Sequence, residues 1–394
     1  MLLVGGLGLS ACDRSTRTAP PPSAPPSSAS AVPATTAPAT STAVSVPARP
    51  RPRTVTVVGS GDVLVHPPVW AQAAADARDE GKTGFDFAPM FAAVAPVTRA
   101  ADVAICELET PLALPGGPFA GYPTFSAPPQ VLTALRRAGY DSCTTASNHT
   151  LDQGDAGLTR TLDALDAAGL GHTGSARSAA EAARPLIITT ANGAKVAQLA
   201  YSFGFNGLST PPGKAWQANL IDVAAVLAAA HRAKAAGADI VVLSMHWGIE
   251  YDHGVTSEQD DQARALLASP DIDVILGDHS HAVEPFERIG RKWVAYSMGD
   301  QISRHAAVRD DDREGVMPRF TFTEVAPHRW RVTKAEAVPT WIDIAPKIRI
   351  VDLPDALASP ATSAARRAVY QAARARIVHY LDARGGVRDG LVIG

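Results

Sequence analysis

The chain has 394 residues, 46% of them hydrophobic and 19% charged, with a formal net charge of -3. That length and apolar content support one large domain or two ordinary ones around a sizeable core. No basic stretch is present to neutralise phosphates, so a nucleic-acid partner is not expected.

Residues 1–11 are short and apolar and end in Leu9-Ser10-Ala11-Cys12, which resembles the bacterial lipobox. Residues 1–12 are therefore expected to be a signal peptide, with Cys12 lipidated and the mature chain exported to the outer face of the cell membrane. An ordinary signal peptide and a secreted product are the alternative. Residues 13–53 are dense in Pro, Ala, Ser and Thr and cannot bury enough apolar surface to offset their ordering entropy. A disordered tether is expected there, with a reach on the order of 100 Å at about 3 Å per residue. No later segment has the eighteen or so apolar residues of a membrane span, so the folded part is expected to be soluble.

From residue 54 the texture becomes short apolar runs alternating with Ala- and Leu-rich helical stretches. The runs cover residues 55–58, 103–106, 142–146, 186–189, 196–201, 240–244, 274–276 and 293–296. Helical spacing covers 129–138, 157–168, 222–236 and 257–268, and returns with many Arg residues over 360–384, read as a docked surface helix. Continuous apolar strands imply sheets covered on both faces, and the alternation predicts the α/β class. The main domain is read over 54–310, with C-terminal strands and a helix over 311–394 packed on it.

The loops after the strands carry the chemistry. In succession they hold Gly61-Asp62, Glu107-Leu108-Glu109, Ser147-Asn148-His149, His246-Trp247-Gly248, Gly277-Asp278-His279-Ser280-His281 and Ser297-Met298-Gly299-Asp300. In an α/β sheet, ligands bind at the carboxyl edge of the strands. The donors are oxygen and imidazole without thiolate, which suits two divalent ions of the Mn, Fe or Zn kind. Asp62, Glu109, Asn148, His246, His279 and His281 are the candidate ligands. Glu109 is the candidate bridge between two ions, Asp62 serves the first, and His246 with Asn148 completes the second. His149, beside a ligand, is placed to protonate a leaving group, and Asp152 to orient His149. His66, Glu107 and Asp278 are further candidates for metal or substrate contact.

The same motifs resemble those of calcineurin-like metallophosphoesterases and, more specifically, of the CapA (poly-γ-glutamate capsule) family. The resemblance rests on Glu107-Leu108-Glu109-Thr110-Pro111-Leu112, Asn148-His149-Thr150-Leu151-Asp152-Gln153-Gly154, His246-Trp247-Gly248-Ile249-Glu250-Tyr251, Gly277-Asp278-His279-Ser280-His281 and Tyr296-Ser297-Met298-Gly299-Asp300, in order over roughly residues 54–305. It implies a four-layer α/β sandwich of two packed sheets flanked by helices, with the site at their shared edge. It also implies phosphatase-like hydrolysis of a phosphoester, or a related bond, in an anionic cell-envelope polymer. Cleavage or transfer of γ-glutamyl bonds is a rival. So is a non-catalytic component that binds polymer or export machinery. The chain departs from the family where Glu107 replaces Asn, Asp278 replaces His and Asp300 replaces Asn. Ser147 and Ser280 also replace family Asn and Pro. The phosphoesterase D-x-H pattern would place a His at position 64, which is Leu64 here. The three acidic departures are expected to tighten metal binding or to weaken the affinity for anionic substrates.

Other residues have plainer expectations. Cys106 and Cys143 sit in apolar runs and read as small buried hydrophobes, with a bridge left open. Trp247 reads as core or as a substrate platform, and Glu250 and Tyr251 as pocket wall. His172, His231, His253 and His305 have no partner in the series and read as solvated or structural. No P-loop, G-x-S-x-G elbow or dinucleotide fingerprint is present.

Overall fold

Continuous apolar runs become strands whose two faces enter different cores. The computed structural model describes residues 52–307 and 309–394, with residue 19 and residues 21–23. The expected signal peptide, Cys12 and nearly all of the tether lie outside the described residues. In chain order the elements begin β1 (Thr54–Val63), α1 (Pro67–Asp79), α2 (Ala88–Phe91), α3 (Ala95–Arg99), β2 (Val103–Glu107), α4 (Val131–Ala138), β3 (Ser142–Thr144), α5 (Gly154–Ala168), β4 (Gly171–Thr173) and α6 (Ala179–Ala182). They continue with β5 (Leu186–Thr189), β6 (Lys195–Ser202), α7 (Val223–Ala235), β7 (Ile240–His246), α8 (Ser257–Ala268), β8 (Val274–Asp278), β9 (Phe286–Ile289) and β10 (Lys292–Ala295). They end with β11 (Asp300–Ile302), β12 (Glu314–Ala326), β13 (Arg329–Asp343), β14 (Arg349–Asp352), α9 (Leu353–Ala358), α10 (Ala364–Leu381) and β15 (Leu391–Ile393).

The first sheet runs β14-β13-β12-β1-β2-β3-β4, with β11 on β1 and β15 on β13; the second runs β5-β6-β7-β8-β10-β9. Strands β1 to β4 are mutually parallel, as are β6, β7, β8 and β10. Side chains alternate between layers as a pleat requires. Val57 and Ile105 of the first sheet face Val242 and Leu276 of the second in a shared core. Val58 and Cys106, one step along, face the helical residues Leu132, Leu135 and Leu162. Val241 and Leu243 face Val226, Ala230 and Leu266 on the far side. The result is helix, sheet, sheet, helix: the four-layer α/β sandwich. Among the described residues no helix is long and apolar enough to cross a membrane.

Local signals set the helix ends. Asp222 caps α7 by accepting from the Ala225 N–H at 2.7 Å, and Thr256 with Gln259 forms a capping box on α8. Helix α1, with Pro67 and Pro68 at its start, was not among the helices expected from the sequence. The C-terminal region is woven into the first sheet: β12 pairs with β1 and β13, and Tyr370, Ala373 and Ile377 of α10 enter the inter-sheet core.

The two buried cysteines are more than small hydrophobes. They face each other across β2 and β3 and form a disulfide, with Cα atoms 4.4 Å apart. A peptide joining Cys106 to Cys143 is therefore expected in a non-reducing digest, and recovery of both cysteines as free thiols would refute the bridge.

Two glycines permit a close backbone approach. A Cβ on Gly61 would lie 1.7 Å from the Gly299 carbonyl oxygen, and one on Gly277 would lie 1.8 Å from that of Tyr296. Gly61→Ala should destabilise the domain by about 1–3 kcal/mol or more. Gly116→Ala, with nothing within 4 Å of its Cβ, should stay within about 0.5 kcal/mol. Urea denaturation of both variants checks the contrast.

Candidate metal centre

Parallel strands from both sheets end at one edge, and their last residues bear the donors. Asp62 lies at the end of β1 opposite Glu107, the last residue of β2, across a register shift. His246 and Asp278 close β7 and β8 and pair with each other. Glu109, Asn148, His149, His279 and His281 lie in the loops just beyond the strand ends. Each of these residues is at most 5% exposed.

The side chains form overlapping groups. Asp62, Glu107 and His246 make one, and Asp62, Glu109 and His281 make a second. His246 Nδ1 lies 3.8 Å from Asp62 Oδ1 and 3.8 Å from Glu107 Oε1. His281 lies 3.4 Å from Asp62 Oδ2 through Nδ1 and 3.7 Å from Glu109 Oε1 through Nε2. Ligands about 2.1 Å from an ion stand roughly 3.0–3.5 Å apart; the 3.7–3.8 Å spacings through His246 Nδ1 and His281 Nε2 are slightly wider than that and too long for hydrogen bonds. Asn148 Oδ1 sits 3.2 Å from His246 Nε2. The ring of His279 packs 4.8 Å from that of His246.

The unpaired atoms test the fit directly. Asp62 Oδ1, both carboxylate oxygens of Glu107 and of Glu109, Asp278 Oδ1, His246 Nδ1 and His279 Nδ1 are buried without a hydrogen-bond partner among the described residues. Buried ionised carboxylates cost several kcal/mol each unless compensated. A cation at this edge would satisfy acceptor-only atoms that no protein donor reaches. Glu107, Glu109 and Asp278 are held well above the ordinary carboxylate range by burial. Repulsion from Asp62 adds to that in all three, against the pull of His281 on Glu109. Asp62 is raised mainly by burial. Burial and the neighbouring imidazoles push His246 well below its usual value and His279 to about 3. His281 goes the other way: burial opposes its charge, but Asp300 and Glu109 outweigh it.

The backbone is strained at this point. His279 has φ 94° and His281 φ 52°, in the left-handed region that non-glycine residues rarely enter. Such conformations cost about 1–3 kcal/mol each and persist where surrounding structure demands them.

His149 stands at the rim of the second group. Its Nδ1 is 2.7 Å from Asp152 Oδ2, which also accepts from the Phe125 N–H at 2.7 Å. Its Nε2 is 4.0 Å from Glu109 Oε1. Asp152 thus holds the ring so that Nε2 faces the centre.

The arrangement differs from expectation at four residues. Asp62, rather than Glu109, is common to both groups around the centre. Asp278 is buried beside the centre but belongs to no ligand group among the described residues. His66 likewise joins none; it accepts from the Arg304 N–H at 3.2 Å, and its ring packs against Phe125 and His305. His305, expected to stand apart, is drawn in: its Nε2 is 2.7 Å from Asp300 Oδ2. The Asp-Gln-Ile-Ser-Arg-His run at 300–305 held that signal, an acid and an imidazole five residues apart after a strand end. Phe203, half-exposed, lies 4.5 Å from the His279 ring and carries no sequence signal that would mark it.

The remaining histidines lie elsewhere. His172 and His231 pair with Asp166 and Asp271, and His253 stacks on Tyr380. Trp247 is core, its Nε1 donating to the Tyr296 carbonyl at 2.8 Å. Tyr251 is wall: its exposed ring stands 5.8 Å from that of His281.

The chain is 27% identical over 191 residues to the capsule biosynthesis protein CapA of Bacillus anthracis, covering 48% of this chain and 46% of that one. It is 27% identical over 203 residues to the PGA biosynthesis protein CapA of Bacillus subtilis, covering 50% and 51%. It is 29% identical over 231 residues to a probable polyglutamine synthesis accessory protein of Mycobacterium tuberculosis, covering 55% and 57%. The chain thus spans about half the length of the curated relatives it matches. Among solved structures it is similar to a calcineurin-like phosphoesterase of Bacillus subtilis, at 15% identity and a TM-score of 0.46 over 84% of this chain and 99% of that one. The model of the bacterial capsule synthesis protein PGA_cap family matches residues 56–305, more than half of the chain and all of the strand-end motifs, and the chain belongs to that family.

Proposed function

We propose that the chain is an exported, metal-dependent hydrolase of the CapA type. It would act on a phosphoester or related bond in an anionic cell-envelope polymer such as poly-γ-glutamate, from the outer face of the membrane, where a lipid on Cys12 holds it. The observation that carries this reading is Asp62, shared by two ion-sized ligand groups whose buried oxygens lack protein donors. Relatives named for capsule and PGA biosynthesis support the polymer.

A pair of divalent ions, of the Mn, Fe or Zn kind, would supply Lewis-acid polarisation of a phosphoryl or carbonyl oxygen. This chain's residues do the rest. Asp62, Glu109 and His281 would hold one ion and Asp62, Glu107 and His246 the other, with Asn148 and His279 beside them. His149, oriented by Asp152, delivers a proton to the leaving oxygen. Phe203 and Tyr251 wall the opening and limit water. Next to Phe203 a cleft of about 310 Å³, lined also by Ile249, Thr256 and Gln262, offers room for a substrate arm.

The test uses the purified chain, its metal content, phosphomonoester and phosphodiester chromogenic substrates, and poly-γ-glutamate. Metal-dependent turnover is expected, falling more than about 100-fold in His281→Ala. Bound metal with no turnover on any of these substrates would refute the hydrolase reading and favour a polymer-binding component. Metal affinity should also depend on pH. The carboxyls of Glu107 and Glu109 are raised, as is the His281 imidazole. Metal and protons compete for these three groups, so affinity rises with pH. Calorimetry should show weaker binding at about pH 6 than at about pH 8. A flat profile would contradict that competition. Cys12→Ser should move the protein from the membrane fraction to the medium; unchanged membrane association would exclude the lipid anchor.

A further inference from the structure

Asp300 differs from every other carboxylate at this edge. Asp62, Glu107, Glu109 and Asp278 each leave at least one oxygen without a partner, whereas both oxygens of Asp300 are taken. Oδ1 lies 2.9 Å from His281 Nδ1, and Oδ2 lies 2.7 Å from His305 Nε2. His305 is steadied in turn by the Tyr251 hydroxyl, 3.4 Å from its Nδ1. The backbone puts Asp300 there. β11 runs parallel to β1 with Asp300 opposite Asp62, and the Asp62 N–H donates to the Gly299 carbonyl at 3.1 Å.

His281, Asp300 and His305 lie close enough together to be a third group of ion ligands. The distances decide against that use. At 2.7 and 2.9 Å the nitrogen–oxygen pairs are charge-assisted hydrogen bonds. The edges of an ion's ligand shell are longer, at roughly 3.0–3.5 Å, and the spacings in the two groups around Asp62 reach 3.7–3.8 Å. A carboxylate that accepts the Nδ1 proton of a histidine leaves Nε2 bare for metal, and fixes the ring's rotation and tautomer. Here Nε2 of His281 is the atom that faces Glu109.

We propose that Asp300, braced by His305, is the positioning residue of the metal centre. It binds the Nδ1 proton of His281 and aims Nε2 at the ion held by Asp62 and Glu109, and it holds no ion itself. This rests on the metal-centre reading. It also gives a use to a strained residue, because His281 in its left-handed conformation presents a ring that the backbone alone would not orient. As a carboxylate, Asp300 gives this contact the stronger, charged form.

The experiment is calorimetric titration of the metal-free full-length protein with Mn²⁺, with ion stoichiometry by elemental analysis and the absorption spectrum of the Co²⁺-loaded form. Wild type is compared with Asp300→Asn, His305→Gln and His305→Ala. Asp300→Asn should bind the same number of ions as wild type, one of them about 10–100-fold more weakly, and with a shifted Co²⁺ spectrum. His305→Gln keeps a donor toward Asp300 and should recover most of the affinity that His305→Ala loses. Affinity unchanged within about twofold, with the wild-type Co²⁺ spectrum, would overturn the proposal. Loss of one whole ion per chain would also overturn it, in favour of a third ion site. Should Asp300→Asn not fold, the His305 pair decides: equal affinities in Gln and Ala overturn the bracing role. Failure of the wild type to bind any ion would instead defeat the metal-centre reading itself.

Discussion

Asp62, Glu107, Glu109 and Asp278 are buried within one edge of the sandwich, and among the described residues no Lys or Arg side chain pairs with any of them. The pull of Asp300 and Glu109 raises the His281 imidazole above its usual value against burial, and Asp300 lies 2.9 Å from its Nδ1. The rest of the site depends on this imbalance. Buried from bulk solvent, these carboxyls are favoured to keep protons or gain a cation. The first choice leaves a set of neutral acids with unfilled acceptor atoms. The second uses all of them, and it accounts for why so many acceptor-only groups converge at one point.

Such an edge can exist because the scaffold around it is stiff. The parallel strands are clad on both faces, so their ends are fixed by cores on either side. The disulfide lies one residue before Glu107 and joins β2 to β3, the strand leading to Asn148. Gly61 and Gly277 let the 296–299 segment press against β1 and β8. Left-handed backbone at His279 and His281 is tolerated for the same reason: the flanking strand ends leave little freedom to relax. Rigidity thus holds together groups that would otherwise repel.

The α/β class and most donors were legible because each donor directly succeeds an apolar run, and such runs can be counted along a sequence. Asp62, Glu107, Asn148, His246 and His281 were placed by that logic alone. Which carboxylate is shared was not legible. Sharing depends on the register shift between β1 and β2 and on how the two sheets stack, and neither leaves a local pattern. His305 was missed because β11 is only three residues long and its partner is the distant β1. The Cys106–Cys143 bridge depends on the same kind of long-range register, since apolar flanks are equally consistent with free thiols.

The three acidic departures from the family pattern therefore cannot be treated as one effect. Glu107 stands within an ion-sized group and adds a charged donor to it. Asp300 spends both oxygens on imidazoles and bears on the ion only through His281. Asp278 joins neither arrangement. Its Oδ1 is buried without a partner, and its charge is opposed by Asp62 and Glu109. A single rule that more acid means tighter metal would predict equal losses on neutralising each. The geometry predicts unequal ones: direct loss at Glu107, loss through ring orientation at Asp300, and relief of repulsion at Asp278.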